Sequence, residues 1–137
     1  MRCIFLMCLL ILLVFPEGII SQTKNIKFSN ISIEDGLSQS TVRDILQDYQ
    51  GFMWFATEDG LNRFDGYDFD VYNSDETDTS SLSSNSVWAV FEDSDQNLWI
   101  GTEKGLNLYL REKEKFLHFH HIPGSNKTLS HPVVRSE

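Results

Sequence analysis

The stretch Gly51-Phe52-Met53-Trp54-Phe55-Ala56-Thr57-Glu58-Asp59-Gly60-Leu61-Asn62 is echoed further on by Gln96-Asn97-Leu98-Trp99-Ile100-Gly101-Thr102-Glu103-Lys104-Gly105-Leu106-Asn107. A shift of 45 residues superimposes Trp54 on Trp99, Thr57 on Thr102, Glu58 on Glu103 and Gly60-Leu61-Asn62 on Gly105-Leu106-Asn107. The same shift carries Val42 to Val87 and Asp48 to Asp93. Identity at so many fixed spacings marks an internal repeat. The register then slips to 47, so that Phe69 and Tyr72 match Phe116 and Phe119, and Leu82-Ser83 matches Leu129-Ser130. The extra residues fit the charged turn Arg111-Glu112-Lys113-Glu114-Lys115. Upstream, Phe28, Ile31 and Leu37-Ser38 read as the tail of a preceding unit, and downstream Val133-Val134 reads as the opening of a third.

Each unit reads as four short strands. In the first they are expected over Val42–Asp48, Phe52–Thr57, Leu61–Phe64 and Tyr67–Tyr72. Gln50-Gly51, Asp59-Gly60 and Asp65-Gly66 punctuate them, and glycine supplies the positive φ that tight hairpins need. A helix over Val42–Gln47 fails because Gly- and Asp-rich breakers arrive before two turns could form. The second strand, Met53-Trp54-Phe55-Ala56, is apolar on both sides, as is Leu98-Trp99-Ile100-Gly101. Such a strand is buried on both faces, as happens when sheets stack face to face in a ring. Four strands per unit and a period near 45 residues are the marks of a β-propeller blade. Trp54 and Trp99 are the expected packing residues between blades, and the small Ala56 and Gly101 leave room for a close neighbour.

The run Asp48-x-x-Gly51-x-x-Trp54-x-x-Thr57-x-x-Gly60-Leu61-Asn62-Arg63-Phe64, preceded by Gly36-Leu37-Ser38 and Val42, resembles the two-component regulator propeller repeat. The second copy, with Trp99-Ile100-Gly101-Thr102 and Gly105-Leu106-Asn107, resembles it more closely still, with Asn97 read as standing where the family has glycine. The resemblance covers about residues 28 to 137. It implies the N-terminal periplasmic sensor part of a hybrid two-component histidine kinase of the Bacteroidetes type, in which tandem propellers sense glycan fragments. It further implies an oligosaccharide ligand, further blades to complete the ring and a homodimer in the full-length sensor. The kinase of such sensors has no counterpart in these 137 residues, so this chain is read as non-enzymatic. The alternatives are a piece of an extracellular carbohydrate-active or lectin-like propeller, or a truncated, nonfunctional gene product.

The expected architecture is all-β: about two four-stranded antiparallel blades of an incomplete propeller behind a signal peptide. Residues 1–21 form that signal peptide, 22–40 hold the end strand of a preceding or closing blade, 41–84 and 85–128 are blades, and 129–137 start a third. The address rests on Arg2 followed by 13 apolar residues from Cys3 to Phe15, too short for a membrane span and broken by Pro16-Glu17-Gly18. Export to the periplasm follows.

Charge and cysteine usage narrow the chemistry. With 11 Lys+Arg against 20 Asp+Glu the net charge is -9, and so acidic a surface repels nucleic acid. Cys3 and Cys8 are the whole cysteine complement, which leaves the folded part without a disulfide, a zinc-thiolate site or a thiol nucleophile.

Four further patterns stand out in the chain. Asp93-Ser94-Asp95-Gln96-Asn97 opens like a calcium loop, but Leu98 replaces its glycine and Lys104 its final acid, so it reads as a polar hairpin turn. His118 and His120 share one strand face, yet no carboxylate or thiol stands at ligand spacing beside them in sequence, and they read as solvated histidines on an outer strand, with His121 and His131 nearby. Asp65, Asp68, Asp70, Asp75, Glu76 and Asp78 are acids on a solvated surface, with Asn73–Ser84 a polar connector. Asn30-Ile31-Ser32 and Asn126-Lys127-Thr128 spell glycosylation sequons that matter only in a eukaryotic secretory pathway. No catalytic, cofactor-binding or metal-binding residue is assigned, no cofactor is required, and the ligand-binding residues stay open.

Overall fold

The computed structural model describes residues 29–125, 129, 133 and 134. The expected signal peptide over 1–21, Phe28, His131 and the second sequon lie outside the described residues. After a short 3-10 turn, η1 (Ile33–Asp35), come eight strands: β1 (Val42–Gln47), β2 (Met53–Thr57), β3 (Gly60–Phe64), β4 (Phe69–Tyr72), β5 (Val87–Glu92), β6 (Leu98–Thr102), β7 (Gly105–Leu110) and β8 (Lys115–Phe119). They form two four-stranded antiparallel sheets in sequential order, β1-β2-β3-β4 and β5-β6-β7-β8. The all-β, two-sheet reading holds, and Val42–Gln47 is a strand.

The differences are local and have causes. The described part of 22–40 contains η1 and no strand, so any end strand there falls in residues 22–28, outside the described residues. The fourth strand begins at Phe69 rather than Tyr67 because the Asp65 carboxylate accepts the N–H groups of Tyr67 and Asp68, both at 2.8 Å, and holds them in a turn. Tyr67 is left 89% exposed at its tip. In the second repeat the left-handed residue is Gln96, at φ 66°, the counterpart of Gly51 at 92°. Asn97 does not fill the glycine's place; its amide instead donates to Asp93 Oδ2 at 3.0 Å. The two-residue slip sits in the β7–β8 turn, where Glu114 is left-handed at φ 51°.

Each innermost strand carries a bulge, between Val42 and Asp44 and between Val87 and Ala89. The sheets approach most closely where β1 and β2 meet β5. Outward from there the gap widens and rings fill it. Trp54 is fully buried between the sheets, stacked on Tyr72 at 5.9 Å and edge-on to Tyr109 at 5.1 Å, while Phe116 meets both tyrosines. Nearer the narrow edge the core is made of smaller groups, Ala56, Val87 and Val90, with Leu82 from the connector. Small residues inside and large ones outside make a wedge, and full burial of each large apolar side chain contributes about 1.5–3 kcal/mol.

Trp99 does not do what Trp54 does. Cross-strand register puts Phe91, Trp99, Leu108 and Leu117 in one row on the sheet face turned away from the first sheet. There Trp99 is half-buried and meets Phe119 of its own sheet at 5.7 Å. It packs against no second sheet among the described residues. Gly101, on the same face, shows why that position is small: a Cβ there would stand 2.6 Å from the Val134 carbonyl oxygen. Ala56, its counterpart, is wholly buried on the inner face of the first sheet.

Both outer faces are therefore apolar and only partly covered, by Val134 on one and Leu37-Ser38 on the other, with Phe91 62% and Ile45 54% exposed. Faces of this kind drive association. Residues 22–137 produced alone are expected to be unstable or to self-associate. Size-exclusion chromatography with light scattering tests this, and a monomer with a sharp thermal transition contradicts it.

Candidate functional site

Asp48 and Asp93 directly follow the first strands of their repeats, β1 and β5, and organise the hairpins that follow. Asp48 Oδ1 accepts the N–H groups of Gln50 and Phe52, each at 3.0 Å, and Oδ2 accepts Trp54 Nε1 at 2.9 Å. Asp93 repeats this with Asp95 and Asn97 N–H at 3.0 and 2.9 Å and Trp99 Nε1 at 2.8 Å. The spacing from aspartate to tryptophan is thus a hydrogen-bond requirement. Burial pushes the Asp48 carboxyl up, but the hydrogen bonds from Trp54 and Arg111, the Arg111 charge and the Phe52 N–H outweigh it and hold Asp48 below the ordinary carboxylate range. The Trp99 and Asn97 side-chain hydrogen bonds bring Asp93 down to about 2.

A second polar set also recurs. Ser38 N–H donates to Asn62 Oδ1 at 2.8 Å, Asn62 Nδ2 donates to Ser38 Oγ at 2.8 Å, and Ser38 Oγ lies 3.1 Å from Thr57 Oγ1. Thr57 in turn donates to the Gly60 carbonyl at 2.9 Å. In the second repeat Ser83, Asn107, Thr102 and Gly105 do the same at 3.0, 2.8, 2.8 and 2.9 Å. Both asparagines and both threonines are fully buried. The repeated Leu-Ser, Thr and Gly-Leu-Asn elements are thereby accounted for as a satisfied network that pins each connector to its sheet.

Three arginines join the two sheets, and none was singled out in the sequence. Arg111 pairs with the buried Asp48 carboxylate at 2.6 Å and with Glu92 at 3.0 Å. Arg63 pairs with Asp70 at 2.7 Å and crosses to Glu114 at 3.0 Å. Arg43, at the first bulge, pairs with Glu58, donates to Ser86 Oγ at 3.0 Å and lies over the Trp88 ring at 3.6 Å. Trp88 is the residue 45 positions after Arg43, so the two bulges stack their diverging side chains on each other. The only available signal was this divergence within an otherwise repeated strand.

The acids do not converge on one point. Backbone N–H groups of its own turn lower the pKa of Asp65, and the Thr77 and Ser80 hydroxyls, with the N–H groups of the same residues, lower those of Asp75 and Asp78. Asp70 is engaged by Arg63. The histidines are not simply solvated, as read from sequence. His118 lies 2.6 Å from the Ser81 carbonyl, His120 3.0 Å from that of Lys104 and His121 2.6 Å from that of Leu129. The polar connector, the β6–β7 turn and β8 enclose an open cavity of about 220 Å³. Its walls mix hydroxyl, carboxylate, ammonium and imidazole groups, an arrangement suited to recognition of a polar ligand.

Two measurements check these roles. Asn107→Ala leaves the Ser83 N–H without its acceptor in a buried place and should cost about 1–3 kcal/mol in denaturant unfolding, whereas Asp68→Ala at the exposed turn should not. The lowered pKa values of Asp48 and Asp93 contribute stability that is present above the ordinary carboxylate range and lost as pH falls through the folded values, near 2 for Asp93. Melting temperature should therefore drop between about pH 4 and pH 2, and the drop should be smaller in Asp93→Asn.

Comparison with known proteins agrees with this geometry. Residues 36–59 and 81–104 match the two-component regulator propeller family. Over 63 residues the chain is 46% identical to histidine kinase P4 of Formosa agariphila, a match covering 46% of this chain and 5% of that protein. The extracellular domain of the hybrid two-component system BT3049 from B. thetaiotaomicron superimposes with a TM-score of 0.70 at 38% identity, over 77% of this chain and 15% of that one. The extracellular domain of BT4673 from the same organism gives 0.55 at 30% identity, over 65% and 13%. The chain thus spans a small part of the length of these relatives. Over these two segments the repeats, with their Asp–Trp and Ser–Thr–Asn bonds and their sheet order, are similar to consecutive repeats of the two-component regulator propeller family.

Proposed function

We propose that this chain supplies consecutive blades of a ligand-sensing propeller on the outer side of the cytoplasmic membrane, and that it reads oligosaccharide fragments without transforming them. The observation that carries the proposal is the pair of partly open apolar faces, with Phe91 and Ile45 exposed, flanking a well-sealed wedge. In this reading 41–84 and 85–128 are blades, and the segment from 129 onward begins a sheet that covers the Phe91-Trp99-Leu108-Leu117 row. Val134 supports this, since its N–H already donates to the Thr102 carbonyl at 3.2 Å.

The structural relatives are extracellular domains, which supports an extracytoplasmic, periplasmic setting. Sensing fits the chemistry available. The conspicuous Ser, Thr, Asn and Asp side chains are consumed in hydrogen bonds that hold the blades, and each imidazole named above faces a backbone carbonyl instead of a hydroxyl it could activate. Ligand bound at the connector face would shift blade contacts, or contacts between two copies of the full-length sensor, and so bias a kinase across the membrane.

The test is calorimetry of the chain, joined to blades that complete its ring, against neutral and acidic oligosaccharides, with product analysis by chromatography. Saturable binding with no change in the oligosaccharide is expected. Turnover, or absence of binding across the panel, overturns the proposal.

A further inference from the structure

Beyond that reading, we propose that His118 on β8 and His120 just past its end, with Glu76 from the connector, form a binding site for a late first-row divalent cation such as Zn²⁺. Residues two apart on a strand project from the same face, and the two imidazole rings stand 5.5 Å apart. Two imidazoles sharing a metal at about 2.0–2.1 Å from each ligating nitrogen have ring centres about 5 Å apart, so the pair needs little adjustment.

The hydrogen bonds prepare both rings. A carbonyl oxygen only accepts, so His118 carries its proton on Nε2, facing Ser81 O at 2.6 Å, and His120 carries its proton on Nδ1, facing Lys104 O at 3.0 Å. That leaves the lone pairs of His118 Nδ1 and His120 Nε2 for a metal. Anchoring the other ring N–H on a carbonyl is the arrangement by which proteins orient metal-binding histidines.

The cavity of about 220 Å³ brings Asp75, Glu76, Asp78 and Lys104 to the same pair. Asp75 and Asp78 are occupied by Thr77 and Ser80, which makes Glu76 the carboxylate able to turn inward. No group of three ligating side chains is preassembled among the described residues, so the site is a two-imidazole chelate closed by Glu76 and water. Imidazole donors select zinc, nickel or copper over magnesium or calcium. A bound ion would tie the connector to the outer strand.

The full chain titrated with ZnCl₂ in chelator-free buffer should show one site by calorimetry, with no comparable heat from MgCl₂. His120→Ala should abolish binding, and so should His118→Ala. Glu76→Gln should weaken it, and His121→Ala should leave it unchanged. His120 is exposed, so its variant keeps the test valid if His118→Ala fails to fold. In ¹⁵N-detected imidazole spectra, zinc should shift His118 Nδ1 and His120 Nε2. Absence of binding, binding that survives His120→Ala, or shifts confined to His121 overturns the site.

Discussion

Every sheet in this chain carries apolar side chains on both faces, so each has to be covered twice. The contact between the sheets meets that need once. Trp54, Tyr72, Tyr109 and Phe116 fill the wide side of the gap, and Ala56, Val87 and Val90 let the narrow side close. Because the covering is tighter at the first strands than at the fourth, the sheets lie at an angle, and repeated addition at an angle produces a ring. The outer rows around Phe91 and Ile45 are the same requirement met only in part.

The polar residues are arranged to make this stacking specific. Apolar surfaces alone would tolerate sliding. Arg111 prevents it by bonding Asp48 of one sheet and Glu92 of the other, and the Asp48 carboxylate cannot be left uncompensated in so buried a place. Asp44 adds a further stitch by accepting the Val90 N–H at 2.9 Å. The Tyr72 and Tyr109 hydroxyls lie 2.9 Å apart, and burial keeps Tyr72 protonated well beyond its usual range. The second repeat differs in one respect. Asp93 Oδ2 is engaged by Asn97, at the position where Asp48 Oδ2 receives Arg111. The outer row there has Leu108 and Leu117 in place of Arg63 and Asp70, so that row is more apolar than its counterpart in the first sheet.

Functional meaning in a repeat lies where the copies differ, since shared residues are taken up by the fold. The Asp–Trp and Ser–Thr–Asn bonds recur almost unchanged and leave no group spare. The differences gather at the bulge, where Arg43 faces Trp88, and at the outer strand, where Asp70 and Tyr72 give way to Leu117 and Phe119 and where His118 and His120 stand. Of these, His118 and His120 line the cavity beside the connector.

Strand number, order and the glycine-marked turns were legible in the sequence because they depend on neighbours a few residues apart: short apolar runs between breakers, positive φ at Gly51 and Gly60, and a repeat that gives each signal twice. The small size of Ala56 and Gly101 was legible for the same reason. What Trp54 and Trp99 do was not equally legible, because the same residue in the same local setting is sealed in one repeat and half-open in the other. Only the position of a second sheet decides between them. The arginine junctions and the His118 and His120 tethers join segments 16 to 63 residues apart, and no local pattern encodes such a distance. Sequence by itself thus determined the wedge-building unit and its repetition. Tertiary structure alone decided which faces meet and which charges are buried, because these depend on how the units pack.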